Sequence, residues 1–472
     1  MTLLPWVAGS LFVGSLPYWL PQQLVALRMR LFTHINGENA VAIPGQLVDA
    51  SRFKQVYSHP AADGRSRGAA LSDLFWYWLS PGPEIHQEHL EPGARYDAIA
   101  HTTRRILALP RQHAEELTAR CVARALDERG IERATLVRLR DVAMPVWAEL
   151  YYEVVFGRAC DATARELIVA NANDVVTALK CCGLRHMDRR HRLTQFLLGK
   201  LRVGELPHEL PQTLSDEERA LYLQGVFFNT AVVQMSEATA HLLLLIAQHP
   251  DVQARLFENP DDHDYLDRVI TEALRVYPLF GISHRITSAP IELDEATTIP
   301  AGSVLCFEHP EFHRHGFTDP ERFDPERWQQ LSTREANYIP FGVTANRPCP
   351  AQGLALITLR VAAREVLRRF ALRSSARHTR SLPSRGPCLL VPRTHPEPKG
   401  ERAFLLWMRV RDRWEDVGRS VVQLVLGTYM VWQARKLRLC QRYFEQGDEP
   451  GGAAPNATAG ACPAAQHSAA CR

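Results

Sequence analysis

Lysine is almost missing from this chain. Lys54, Lys180, Lys200, Lys399 and Lys436 are the only five, and every other strongly basic side chain is arginine. The bias reflects a GC-rich coding sequence of bacterial type and says nothing about chemistry. Charge of one sign is also lacking: 55 Lys and Arg face 52 Asp and Glu, for a formal net charge of +3. With no basic stripe interleaved with aromatics, this argues against a dedicated nucleic-acid binder. The ten cysteines include no Cys-x-x-Cys pair, so neither a zinc site nor a disulfide framework is indicated, and a reducing, cytoplasmic setting fits. No glycine-rich flavin or nicotinamide fingerprint occurs. Residues 1–27 carry no charge at all, yet Pro5, Pro17 and Pro21 interrupt them and no basic stretch precedes them. They therefore read poorly as a signal peptide or a membrane span, and better as a leader packed on the domain or resting on a membrane surface.

What the sequence does contain is dominated by Cys349. It closes the loop Phe341-Gly342-Val343-Thr344-Ala345-Asn346-Arg347-Pro348-Cys349-Pro350-Ala351 and opens a helical run from Gln352 to Phe370. A helix N-terminus offers unpaired N–H groups and a positive dipole end, and Arg347 adds a cation, so the place suits a thiolate. The loop resembles the haem-ligand loop of the cytochrome P450 superfamily, Phe-Gly-x-Gly-x-Arg-x-Cys-x-Gly. It departs from that pattern by one extra residue before the cysteine, by Ala345 in place of the second glycine, and by Ala351 after the cysteine.

Further segments in the family's order support the resemblance. Glu272-Ala273-Leu274-Arg275 matches its Glu-x-x-Arg, whose members share a helix face and can pair. Pro320-Glu321-Arg322-Phe323 is the expected locking loop, with Arg322 as third member of the group. The resemblance implies haem b held by the Cys349 thiolate, and cations for the two haem propionates. His101 and Arg105 match a His-x-x-x-Arg on the third long helix, His284-Arg285 matches the strand beneath the haem, and Arg347 completes the set. Arginine suits this task because its planar fork pairs carboxylates bidentately.

The implied fold is mainly α with small β-sheets, and a long central helix over the haem. That helix starts at Ser215 in a capping box with Glu218 and is stopped by Pro250. At 1.5 Å per residue it spans roughly 50 Å. The expected divisions are a leader over 1–21, the family domain over 22–397, a helical extension over 398–445 and a disordered tail over 446–472. Within 401–444, Trp407, Trp414, Val421, Val425, Tyr429 and Trp432 stand against Arg402, Arg409, Arg411 and Arg413. The uncharged run 420–434 is too short to span a bilayer, so an interfacial helix, a partner-binding helix and packing on the domain stay open.

The central helix is where the pattern is unusual. The family's acid and threonine positions fall on Val233 and Gln234, with Thr230 a turn earlier. Valine offers no proton path, and a glutamine amide holds a water but barely acts as an acid. One reading is a monooxygenase acting on a hydrophobic small molecule, with protons relayed by water, Thr230 or a substrate hydroxyl and electrons from a separate ferredoxin and its reductase. Phe228-Asn229, Asn346 and Ala351 instead resemble the allene oxide synthase branch, which would make Asn229 a residue that orients a hydroperoxide. A non-catalytic docking scaffold is the third reading. Phe75, Trp76, Trp78 and Leu79 are the expected apolar pocket walls.

Overall fold

The long segment from Asp216 to Gln248 crosses the molecule, and nearly all of it is buried. Its start is fixed locally: the Ser215 hydroxyl accepts from the Glu218 N–H while the Glu218 carboxylate accepts from the Ser215 N–H. In this computed structural model the described residues are 3–37, 40–64, 69–343, 345–394 and 400–447. Thr344 and the expected tail beyond Gly447 lie outside them.

The central helix is not α throughout. Between an α-helical start, Asp216–Leu223, and an α-helical end, Val232–Gln248, residues Gln224–Ala231 form a π-helix. The Thr230 hydroxyl donates to the Gly225 carbonyl at 2.8 Å, five residues back, in step with that wider turn. Gly225 sits where the backbone of Gly82 crosses: a methyl group on Gly225 would meet the Gly82 carbonyl oxygen at 2.6 Å. Only glycine fits that crossing.

Around this axis pack the helices Arg111–Arg129, Leu139–Phe156, Ala162–Leu179, His263–Val276 and Gln352–Arg369, sharing one continuous apolar core. The sheets are small and peripheral. Strands β1 (Val41–Ile43), β3 (Ile282–Ile286) and β6 (Val304–Glu308) form one in the order β1-β6-β3, with β1 parallel and β3 antiparallel to β6. Strands β2 (Thr135–Arg138), β8 (Pro387–Pro392) and β7 (Phe370–Arg373) form an antiparallel second, and β4 (Ile291–Asp294) pairs with β5 (Thr297–Ile299) in a third.

Both ends of the described chain are helical. One helix, Leu3–Asn36, runs straight through Pro17 and Pro21, so there is no break at residue 22. Pro17 and Pro21 are buried, on the face turned to the long C-terminal helix Glu401–Leu437. A left-handed Arg438 (φ 46°) separates that helix from a last short one, Leu439–Gly447. Both C-terminal helices pack back on the helix Ala70–Leu79: Met430, Val431 and Ala434 join Leu74, Tyr77 and Trp78 in a cluster, and Trp76 meets the Tyr443 ring at 5.2 Å.

Candidate haem site

A cavity of about 1040 Å³, part of it open to solvent, lies between the central helix and the cysteine loop. Cys349 stands on one wall; Thr230, Ala231 and Gln234 stand on the other, on and just past the π-helical stretch. Phe227, Met235, Leu279 and Phe280 make much of the remaining lining apolar. The extra width of the π turn and the single cysteine thus face each other across one space.

The loop that carries Cys349 is shaped by its own backbone. Gly342 adopts φ +76°, a conformation that disfavours any other residue, and Val343 bridges to Asn346. The Cys349 N–H donates to the Phe341 carbonyl at 3.0 Å, closing the loop over its extra residue. Asn346 donates to the carbonyls of Tyr57 and Ala62, both at 2.8 Å, and so ties the loop to the chain that follows β1. Burial pushes the Cys349 thiol up to about 11, and the Ala351 N–H opposes it. The protein alone therefore does not hold a free thiolate there, contrary to what the helix end and Arg347 suggested. A metal cation bound there would supply the missing positive charge, since a coordinating thiol is deprotonated outright.

The four residues expected at the propionates divide into two pairs. Arg285 is fully buried on β3, donates to the Tyr57 hydroxyl at 3.1 Å and has its Nε buried without a partner. Arg347 reaches under the loop to the carbonyls of Gln87 (2.7 Å) and Asp63 (3.2 Å), its guanidinium 4.5 Å from the Tyr96 ring centre. His101 and Arg105, by contrast, are exposed and line no part of the cavity; Arg105 donates to the Glu209 carbonyl instead. Their helix, Ala94–Ile106, buries Ile99, Thr102, Thr103 and Ile106, which turns those two outward. The sequence did not single out Glu88 or His309. Glu88 lies 3.8 Å from Arg285, and His309 accepts or donates to Ser283 at 3.0 Å on the cavity wall.

Two further expectations are corrected. Asn229 does not face the cavity. Its amide donates to the carbonyls of Leu79 (3.0 Å) and Pro81 (2.9 Å) and accepts from Asn171 at 2.7 Å. Arg190 takes the neighbouring carbonyls of Trp78 and Ser80, so together they pin the turn that leads to His86, Gln87 and Glu88 on the cavity wall. Nor do Phe75, Trp76, Trp78 and Leu79 line the pocket; Phe75 stacks on His284 and the tryptophans face the C-terminal helices or the core.

The Glu272–Arg275 pair is buried and bidentate, with both contacts at 2.8 Å. Its third member is Arg327, whose Nε donates to Glu272 at 3.0 Å, while Arg322 is exposed and offers only its carbonyl. The Trp328 indole (2.9 Å) and the Asp324 N–H (3.1 Å) complete the carboxylate's partners. The tripeptide Pro-Glu-Arg occurs twice, at 320–322 and 325–327. Only the second is wound into a 3₁₀ turn, capped by Asp324, that aims its arginine inward.

The match to known proteins agrees with this site. The family model for cytochrome P450 matches residues 163–397, which include Glu272, Arg275, Arg327 and Cys349. The chain belongs to the cytochrome P450 superfamily. A cyclooctat-9-en-7-ol 5-monooxygenase of Streptomyces melanosporofaciens is 33% identical over 296 residues, covering 54% of this chain and 60% of that protein. Rat cytochrome P450 3A9 is 32% identical over 181 residues, 34% of this chain and 35% of its own. The aligned stretch thus spans between about a third and three fifths of these relatives. Among solved structures, cytochrome P450SP alpha matches with TM-score 0.60 at 16% identity, covering 71% of this chain and 88% of its own. A zebra fish cytochrome P450 matches with TM-score 0.58 at 16%, covering 73% and 92%. The fold is that of the P450 family.

The family's prosthetic group is haem on a cysteine thiolate, and the residues present fit it. One thiol faces the space, and the partnerless Nε of the buried Arg285 stands with Arg347 behind it.

Proposed function

We propose that this protein is a haem-thiolate monooxygenase that places one oxygen atom from dioxygen into a hydrophobic small molecule. Cys349 facing the widened central helix across an apolar cavity is the observation that carries the reading. Cys349 would hold the iron, and Arg285 and Arg347 the propionates. Bound there, haem supplies dioxygen binding and its reductive activation; the chain's part is to orient the substrate, exclude water and conduct protons. Thr230 and Gln234 are the polar side chains on the helical wall, and Gln234 can hold a water that carries a proton across the gap left by Val233. Glu237, one turn on, is not available as a donor. It is clamped by Arg140 at 2.7 Å and Lys180 at 2.6 Å, and although burial opposes it, these cations hold its carboxyl down to about 2. Electrons would come from a separate ferredoxin and its reductase. The similarity to a monooxygenase of a cyclic alcohol supports a hydrophobic substrate of that kind.

The hydroperoxide reading loses its amide, because Asn229 is spent on Leu79, Pro81 and Asn171. The test has two stages. The reduced, carbon-monoxide-bound protein should show the thiolate-type Soret band, and Cys349→Ala should lose it; Cys306 lies on β6 and Cys388 is buried on β8, neither at the cavity. Absence of the band in the parent protein would leave the scaffold reading. Turnover that then needs an electron donor supports the proposal, and turnover of a fatty-acid hydroperoxide without a donor overturns it.

A further inference from the structure

Three buried side-chain amides meet beside the π-helical stretch Gln224–Ala231, and none of them lines the cavity. Asn171, fully buried on the helix Ala162–Leu179, accepts from the Gln224 amide at 3.0 Å and donates to the Asn229 side-chain oxygen at 2.7 Å. One side chain thus grips two residues five apart on the central helix. In an α-helix such residues stand about 140° apart around the axis, too far round for one short amide to serve both. A turn closed by i→i+5 bonds brings them onto one face. The Thr230 hydroxyl on the Gly225 carbonyl, again five apart, follows the same register one residue on.

Glycine at 82 and 225 permits the two backbones to approach but attracts nothing. The amides supply the attraction, and for one register alone. An α-helical turn would offer Asn171 the pair Gln224 and Phe228, or Gly225 and Asn229, and leave a buried amide group unpaired. A buried asparagine that fixes register by this penalty has a parallel in coiled coils. Past the turn the helix is held independently, by Glu237 between Arg140 and Lys180 and by the Trp147 indole on Thr239 at 3.0 Å. Gln234 and Met235 therefore keep their places on the cavity wall, whereas Val226 and Phe227, inside the turn, depend on its register.

We infer that Asn171 is a positioning residue: its amide selects the π register of the central helix and so sets where Val226 and Phe227 bound the substrate space. It thereby governs the size of ligand that the site accepts, without touching the ligand. The inference rests on the haem reading for its optical test alone.

Imidazole and 4-phenylimidazole, titrated into the full-length holoprotein, both bind a haem iron through nitrogen and move the Soret band. Only the second carries a ring up to the helical wall. In Asn171→Leu the ratio of their dissociation constants should change roughly tenfold, the scale on which pockets discriminate small differences in size, while imidazole alone binds as in the parent. Gln224→Met breaks the same bond and should move the ratio the same way; combined with Asn171→Leu it should add little, since both remove one interaction. Thr118→Val takes a fully buried hydroxyl from the Ala114 carbonyl, away from this cluster. It should lower the thermal midpoint and leave the ratio alone, as any merely structural loss would. An unchanged ratio in Asn171→Leu or Gln224→Met, or an equal change in Thr118→Val, overturns the inference. A crystal structure of whichever of the two amide variants folds better reads the register without the haem. There Thr230 should have left the Gly225 carbonyl, and an intact π turn overturns the inference. A parent protein whose Soret band ignores imidazole counts against the haem reading instead, and the crystal structure then decides the register.

Discussion

Arg327 and Arg322 sit five residues apart in identical tripeptides, and the difference in their surroundings decides what each is worth. Glu272 is fully buried and takes hydrogen bonds from Arg275, Arg327, Trp328 and the Asp324 N–H. Removing one cation from such a set leaves a buried carboxylate undercompensated, at a cost of about 3–5 kcal/mol. Arg327→Ala should therefore yield little folded, haem-loaded protein. Arg322→Ala removes an exposed side chain and keeps the backbone carbonyl through which this residue takes part in the group, and should change stability by less than about 0.5 kcal/mol. Parallel purification yields and urea midpoints check this, and the reverse order would return Arg322 to the group. The pairing of Glu272 with Arg275 was legible because two residues three apart on a helix share a face. The third partner was not, because a duplicated motif carries no sign of which copy is wound into the turn that points inward. His101 and Arg105 mislead for a related reason: a spacing of four places both on one side of a helix, but not on which side. The buried residues Ile99, Thr103 and Ile106 decide that only once the neighbouring helices are present.

At the scale of the element, the central helix combines a legible start with an illegible middle. Ser215 and Glu218 announce the cap through their own side chains, whereas the π-helical stretch depends on Gly82, a residue over a hundred positions away whose backbone presses on Gly225. The same stretch separates Gln234, on the cavity wall, from Asn229, which holds the turn at Leu79 and Pro81. The two should respond differently to substitution. Gln234→Thr is expected to keep haem content and substrate affinity while changing the ratio of product to released peroxide, since it alters only how a proton reaches the cavity. Asn229→Ala strips one buried and one part-buried carbonyl of their donor and should lower stability by about 1–3 kcal/mol, with that ratio unchanged in the protein that does fold. Product and peroxide, measured together with the thermal midpoint, separate the roles. If Asn229→Ala shifts the ratio at undiminished stability, the amide acts at the cavity after all.

Across the whole molecule, acid and the C-terminal helices each challenge stability in a way the structure specifies. Burial pushes His241 and His309 down to about 4, His313 to about 3 and His378 to about 2, from an ordinary 6.5. The unfolded chain thus binds more protons than the folded one between about pH 4 and 6.5, so stability rises with pH across that window and is lost as pH falls through it. Glu237, held down to about 2 against the opposing effect of burial, adds a further loss below about 4.5. The urea midpoint should drop steadily from pH 7 to pH 5, and a flat profile would contradict the neutral, buried histidines. The chain beyond the family match, which ends at 397, is the second challenge. Met430, Val431 and Ala434 are buried against Leu74, Tyr77 and Trp78, Gln423 donates to the Lys180 carbonyl at 2.8 Å, and Asp73 accepts from the Cys440 N–H at 2.9 Å. Burial of each large apolar side chain contributes about 1.5–3 kcal/mol, so losing several approaches the 5–15 kcal/mol margin of a whole domain. Ending the chain at residue 399 should therefore abolish cooperative unfolding, and Met430→Ala alone should cost about 2–5 kcal/mol. A truncated protein that binds haem and melts as sharply as the full chain would show that these helices rest on the domain without supporting it.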